Sequence, residues 1–283
     1  MPRRRQPTAR QARLGTELCK LREAAGLKAR ESASLIGTDS AQMSQIESGV
    51  AGVSEERVRR LAAHYACAND ALIDALVITA NDRTRGWWED YRGVLPASFL
   101  DLAELEHHAT FRRDVELLHV PGLLQTEDYA RSVFAYTNPE FPVSELEPRI
   151  DHRMKRRAIL EGDDPVEYEA VIHESALRIR VSDRRASRTQ LGQILELSEA
   201  QRVTVRVIPF DLDGFAGAGS AMMHVGGPIP RLDTVLRDAP YGAAFIDSEA
   251  QLDHFRTLFR KVKEGSLEPG RSRDLIHQLA KEL

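Results

Sequence analysis

The chain has 283 residues, 42% of them hydrophobic and 29% charged, which is enough apolar material and length for two domains with full cores. A formal net charge of -4 excludes a general polyanion binder, and no run approaches the roughly 20 apolar residues of a membrane span. No basic n-region followed by an apolar h-region opens the sequence, so a cytoplasmic protein is expected.

Cys19 and Cys67 both fall in helical segments and read as reduced core thiols rather than a disulfide. His107, His108 and His119 lack ligand spacing, so neither a metal nor a cofactor is expected.

Positive charge is concentrated at the front, where residues 1–30 hold nine Lys or Arg against two acids. Residues 1–9 read as a flexible basic arm, in which Arg3 to Arg5 would follow phosphates or enter a minor groove; a merely solvated terminus is the competing reading. Leu14, Leu18, Leu21 and Ala25 form the stripe of a first helix ending near Gly26, and the segment from Leu27 to Ile36 has the spacing of a second. Lys28 begins that second helix, on the side where a phosphate backbone would lie.

The stretch from Gly37 to Gly49 carries most of the functional signal. Gly37 supplies the permissive backbone of a turn, Asp39 caps the next helix from Ser40, and Gln42 completes a box-like pair with it. Met43 and Ile46 would face the core, which leaves Ser40, Ala41, Ser44 and Gln45 on the opposite face. Small and amide side chains at an exposed helix start suit the major groove, where a Gln amide can pair with adenine. The candidate DNA-binding residues are therefore Lys28, Thr38, Ser40, Ala41, Gln42, Ser44 and Gln45, with Gln45 the foremost base reader. An ordinary helical hairpin with a polar outer face is the plainer alternative.

Ser54 can cap a fourth helix carrying Val58, Leu61 and Ala62, and Asn69 a fifth running to Ala80. At this point the sequence resembles, over about 60 residues, the Cro and phage-repressor type of helix-turn-helix, on the frame of Ala33, Gly37, Ile46, Glu47 and Gly49. The chain departs from that family at Ala29, where a phosphate-contacting Gln is common, and at Gln42, Gln45 and Val50, where many relatives carry Lys or Arg.

Residues 81–86 are polar and read as the linker to a second domain over 87–283. Trp87 and Trp88 open that domain, one expected to pack inward and the other on a neighbour or partner. Leu100, Leu102 and Leu105 mark a helix, an extended stretch follows Phe111 to Leu118, and a Pro-Gly turn at Pro121 precedes a helix capped by Thr126. Trp87, Trp88, Pro121, Leu123, Leu124 and Gln125 are the candidate partner-binding residues.

Strands are predicted over residues 166–173, 204–209, 221–225, 232–236 and 243–246, with helices over 144–161, 188–200 and 249–263. The fold class expected is multidomain: an all-α five-helix domain followed by an α+β domain with a small, mainly antiparallel sheet. Arg149, Arg153, Arg156 and Arg157 are expected on the solvated face of their helix. His173, Glu174 and Ser175 lack the spacing of a hydrolase or zinc-protease motif, and the glycine-rich loop from Gly214 to Ser220 lacks the Lys of a phosphate loop, so no enzyme is expected.

Taken together, Gly86-Trp87-Trp88, Leu105-Glu106, Val120 to Thr126, Arg153 with Arg156-Arg157, His173 to Leu177 and Val207-Ile208-Pro209 resemble, in order, the actinomycete regulators that join a helix-turn-helix to a DUF5753 domain. What the resemblance implies is a DNA-binding regulator of antitoxin-like type, commonly encoded beside a small DUF397-type protein that opposes it. Two functions follow as expectations. One is a repressor that binds a two-fold operator as a homodimer and is controlled by a protein partner. The other is an antitoxin-like interaction protein that sequesters the small partner and only autoregulates. A third, in which the second domain senses a small ligand, has no residue set to carry it.

Overall fold

Four helices of the N-terminal unit begin at a residue whose side chain accepts from their free amides. In the computed structural model, which describes residues 6–217, 220–239 and 242–283, the Thr8 hydroxyl accepts from the Gln11 N–H at 3.3 Å and the Gln11 side chain accepts from the Thr8 N–H at 3.2 Å. That pair opens α1 (Ala9–Ala24), which α2 (Ala29–Leu35), α3 (Ser40–Glu47), α4 (Glu55–His64) and α5 (Asp70–Asn81) follow. Asp39, Ser54 and Asn69 cap the last three through the N–H groups of Gln42, Arg57 and Leu72. The reciprocal box occurs at α1, whereas at α3 the contact runs from Gln42 N–H to Asp39. Leu18, Met43, Val58 and Leu61 are wholly buried, which places the shared core under all the helices that carry them. The basic arm at Arg3 to Arg5 lies outside the described residues.

The chain divides into two units between Glu89 and Asp90. Residues 82–86 carry neither helix nor strand, and Trp87 and Trp88 begin a 3-10 turn, Trp87–Tyr91. Their rings meet edge to face with centroids 6.1 Å apart; Trp88 is buried and Trp87 half-buried. Gly86 makes room for this, because a Cβ there would overlap the Trp88 ring.

The second unit runs α6 (Ala97–His107), β1 (Phe111–Glu116), α7 (Glu127–Thr137), α8 (Val143–Lys155), β2 (Glu167–His173), α9 (Glu174–Arg178), α10 (Arg184–Leu197) and β3 (Val203–Ile208). It continues with β4 (Met222–Gly226), β5 (Thr234–Ala239), β6 (Gly242–Ile246), α11 (Glu249–Gly265) and α12 (Pro269–Glu282). The sheet has six strands in the order β3-β2-β1-β4-β5-β6 and is mixed, not small and mainly antiparallel as the sequence suggested. β1 pairs β2 and β2 pairs β3 in parallel, because helical crossovers join them; β4, β5 and β6 add antiparallel through shorter connections. Both faces are covered. Tyr168, Ala170 and Ile172 of β2 meet Leu191 and Ile194 of α10 and Ile276 of α12 on one face, while Val115 and Val171 meet Leu252 and Phe255 of α11 on the other.

The arginines expected on a solvated helix face are turned inward. Arg156 begins the 3-10 turn Arg156–Leu160 that ends α8 and is only 4% exposed. It donates to Glu106 through Nε at 2.8 Å and Nη2 at 2.6 Å. Glu106 also accepts from Arg112, which grips Asp114 at 2.9 and 2.7 Å; Tyr168 donates to the same Asp114 at 2.8 Å. Two guanidinium groups and two carboxylates thus neutralise one another inside the unit, the condition under which buried charge is tolerated.

Among the described residues no helix is long and apolar enough to cross a membrane, and no group of three or more His, Cys, Asp or Glu is placed to hold a metal ion. Cys19 and Cys67 are free thiols and partly exposed rather than core residues.

Candidate nucleic-acid interface

Gly37 sits at φ +66°, so the chain leaves α2 through the left-handed region, and the Thr38 N–H reaches back to the Ala33 carbonyl at 2.9 Å. Ala33 and Ile36 are buried at the end of α2, and Met43 and Ile46 at the inner face of α3. Asp39 accepts from the Gln42 N–H at 2.7 Å and fixes where α3 begins.

α3 is held against α1 by glycine and by charge. A Cβ on Gly15 would lie 2.5 Å from the Glu47 carbonyl oxygen and 2.6 Å from that of Ile46. A Cβ on Gly49, at φ +74°, would likewise lie 2.5 Å from the Gln11 carbonyl oxygen. Glu47, the last residue of α3, accepts two hydrogen bonds from Arg22 of α1, from Nε at 2.6 Å and Nη2 at 3.0 Å. Arg22 also donates to the Leu27 carbonyl at 2.8 Å, so one guanidinium joins α1, the turn before α2, and α3. Burial pushes the nearby Cys19 thiol up to about 11, with Glu47 adding to the shift.

The opposite face of α3 is open. Ser40, Ala41 and Ser44 are exposed and Thr38, Gln42 and Gln45 half-exposed, so the structure brings these candidates together at one helix start. α3 itself carries no Lys or Arg. Lys28 is exposed at the N-cap of α2, and Arg30, which the candidate set omitted, is exposed two residues on; neither has a carboxylate within ion-pair distance among the described residues. Its place in the first turn of α2 was the available signal. The remaining described basic residues of the front segment are occupied: Arg10 by Asp82, Arg13 and Lys20 by Glu17, and Arg22 by Glu47.

The candidate partner residues are placed differently. Leu123 and Leu124 are wholly buried, Gln125 is 3% exposed and Pro121 is buried, so the side chains of this segment are interior. The reason is a polar staple. Gln125 Nε2 donates to the Val120 carbonyl at 2.7 Å, its Oε1 accepts from Arg153 at 2.7 Å, and its carbonyl accepts from Arg157. Gln190 closes the other end, donating to the Leu124 carbonyl at 2.7 Å and accepting from the Thr126 N–H at 2.8 Å. Of the pair of tryptophans, only Trp87 retains appreciable exposure.

His173 and its neighbours form a helix start. The Nδ1 of His173 accepts from the Ser175 N–H, the Ser175 hydroxyl donates to the Leu117 carbonyl, and Glu174 accepts from Arg178 at 2.6 Å and from the Phe210 N–H at 2.9 Å.

Family comparisons agree with these two units. A helix-turn-helix domain matches residues 13–76, and a domain of unknown function, DUF5753, matches residues 99–278. Comparison with curated proteins and with solved structures gave no match. With an exposed recognition face on its first unit and the family domain over most of its length, the chain belongs to the DUF5753 family and is a DNA-binding regulator of the helix-turn-helix type.

Proposed function

We propose that the protein is a sequence-specific transcriptional repressor that binds a two-fold operator as a homodimer and is controlled through its second unit by a protein partner. The open polar face of α3, with Gln45 half-exposed beside exposed Ser40, Ala41 and Ser44, carries this reading. A helix with no cation of its own contributes base contacts but few phosphate contacts. Two half-sites about one helical turn apart would supply the affinity that one such helix lacks. The action is binding alone, without catalysis, and takes place in the cytoplasm.

The same scarcity of cations favours a second reading. An antitoxin-like protein that sequesters a small DUF397-type partner needs only enough DNA affinity to autoregulate. Sequencing of genomic fragments captured by the full-length protein at near-physiological salt separates the two. Palindromic sites at several promoters support the repressor. A single site at its own locus, or enrichment that depends on the small partner, supports the antitoxin-like protein.

A further inference from the structure

The sheet face beneath α11 is apolar at one end and charged at the other. Toward the start of β1 the register aligns His224 of β4, Arg113 of β1 and Glu169 of β2 in one row. α11 lays Phe259, Arg260 and Lys263 beside that row, and with Arg113, Glu169 and, from β3, Arg206 they border an open cleft of about 380 Å³. That volume falls within the range of small-molecule sites.

Five cationic side chains and three glutamates line the pocket, and Asp233 and Asp253, which pair with Arg256, bring the carboxylates around it to five. Most of the cations are already matched. Lys263 meets Glu169 at 2.7 Å, and Arg206 meets Glu268 at 2.9 Å. Arg256 is fixed by Asp233 at 2.9 Å and Asp253 at 2.7 Å, and the buried Asp233 is itself held by His224 at 3.0 Å. Arg113 and Arg260 are different, because no carboxylate lies within ion-pair distance of either among the described residues. Arg260 is exposed, but Arg113 is half-buried, its guanidinium 4.5 Å from the centre of the Phe111 ring and 5.6 Å from that of Phe259. Aromatic faces attract a cation more weakly than a hydrogen-bonded counter-ion does. A partly desolvated guanidinium that lines a roomy pocket without a carboxylate of its own lacks the partner its fork geometry suits best, an oxyanion.

We infer that this pocket binds a small oxyanion with two or more negative charges, a polycarboxylate or a phosphorylated metabolite, anchored on Arg113 with Arg260 at the rim. The site makes the second unit a ligand-binding module, and it is independent of whether α3 reads an operator.

The test is isothermal titration of the full-length protein with citrate and, separately, inorganic pyrophosphate, at fixed ionic strength. Saturable binding of one equivalent is expected from at least one probe: citrate alone assigns the polycarboxylate class, pyrophosphate alone the phosphorylated class, and both a general oxyanion site. Arg113→Met should weaken binding by about tenfold or more, and Arg260→Ala, at an exposed position that leaves folding intact, should weaken it measurably. Failure of both probes to bind, or binding unchanged in both variants with native circular dichroism, overturns the inference.

Discussion

Arg156 and Glu106 face each other through two parallel hydrogen bonds, at 2.8 and 2.6 Å, with 4% and 1% of their respective surfaces exposed. The bidentate geometry ties the end of α8 to α6, fifty residues apart in sequence. Arg156→Met would leave Glu106 and Asp114 facing Arg112 alone, an uncompensated buried negative charge. A loss of about 3–5 kcal/mol is expected. Urea denaturation should also show the double variant Arg156→Met with Glu106→Leu to be less damaged than the sum of its parts. Additive losses would mean that the two side chains do not act as a pair.

Acid should act on the same cluster in two steps. Burial, assisted by Arg156, pushes His152 down to about 3 from an ordinary 6.5. Burial opposes ionisation of Glu106, but the guanidinium groups of Arg156 and Arg112 outweigh it and hold that carboxyl below its ordinary 4.5. For both groups the native state binds fewer protons than the unfolded chain, so their stabilisation is present above the unfolded value and lost as pH falls. Stability should begin to decline below about pH 6.5 through His152 and steepen below about pH 4.5 through Glu106. In Glu106→Gln, thermal melts across this range should lack the steeper segment; a profile as steep as the parent's would assign the acid sensitivity elsewhere.

These buried charges also mark the limit of what the sequence discloses. The recognition helix was legible because its signals are local: Gly37, Asp39, Met43 and Ile46 follow one another at steps of about one turn or less. β1 was not, because a strand reading Phe-Arg-Arg-Asp-Val-Glu hides its burial behind Arg112 and Asp114, whose partners Glu106, Arg156 and Tyr168 come from other elements. Arg153 and Arg157 share helical spacing with solvated arginines, yet they serve the Val120 to Thr126 segment, and no periodicity reveals that. Parallel pairing was hidden for a similar reason, since strand order follows from the crossovers rather than from any residue in the strands.

Among the described residues Gln45 makes no side-chain hydrogen bond, so its replacement tests recognition with little effect on the fold. Gln45→Ala should cost about 1–3 kcal/mol on the preferred operator and relax preference at one base position. Gel-shift titration against a panel of single-base operator variants checks both effects. An unchanged preference at every position would move the base reader to another residue of α3.

Lys28 and Arg30 should behave in the opposite way, weakening all sequences alike. Each phosphate contact contributes about 0.9 to the slope of log affinity against log salt. The double change Lys28→Ala with Arg30→Ala is therefore expected to flatten that slope by about 2, leaving base preference intact. A slope equal to that of the parent would place the start of α2 away from the phosphates.

The anchoring of α3 is tested at Gly15, far from the recognition face. Gly15→Ala would put a methyl group 2.5 Å from the Glu47 carbonyl oxygen and 2.6 Å from that of Ile46, and both obstacles are backbone that no rotamer change can move. α1 and α3 must then separate, at a cost of about 1–3 kcal/mol typical of overpacking. Separation would also lengthen the hydrogen bonds by which Arg22 holds Glu47, now 2.6 and 3.0 Å. Because α3 would shift as a body, affinity should fall on specific and non-specific DNA in different proportion, the specific complex losing more since base contacts tolerate less displacement than phosphate contacts. Thermal melts paired with binding to operator and random duplexes measure both terms. A destabilised Gly15→Ala protein whose specificity ratio matched the parent's would show that the α1–α3 contact serves stability alone.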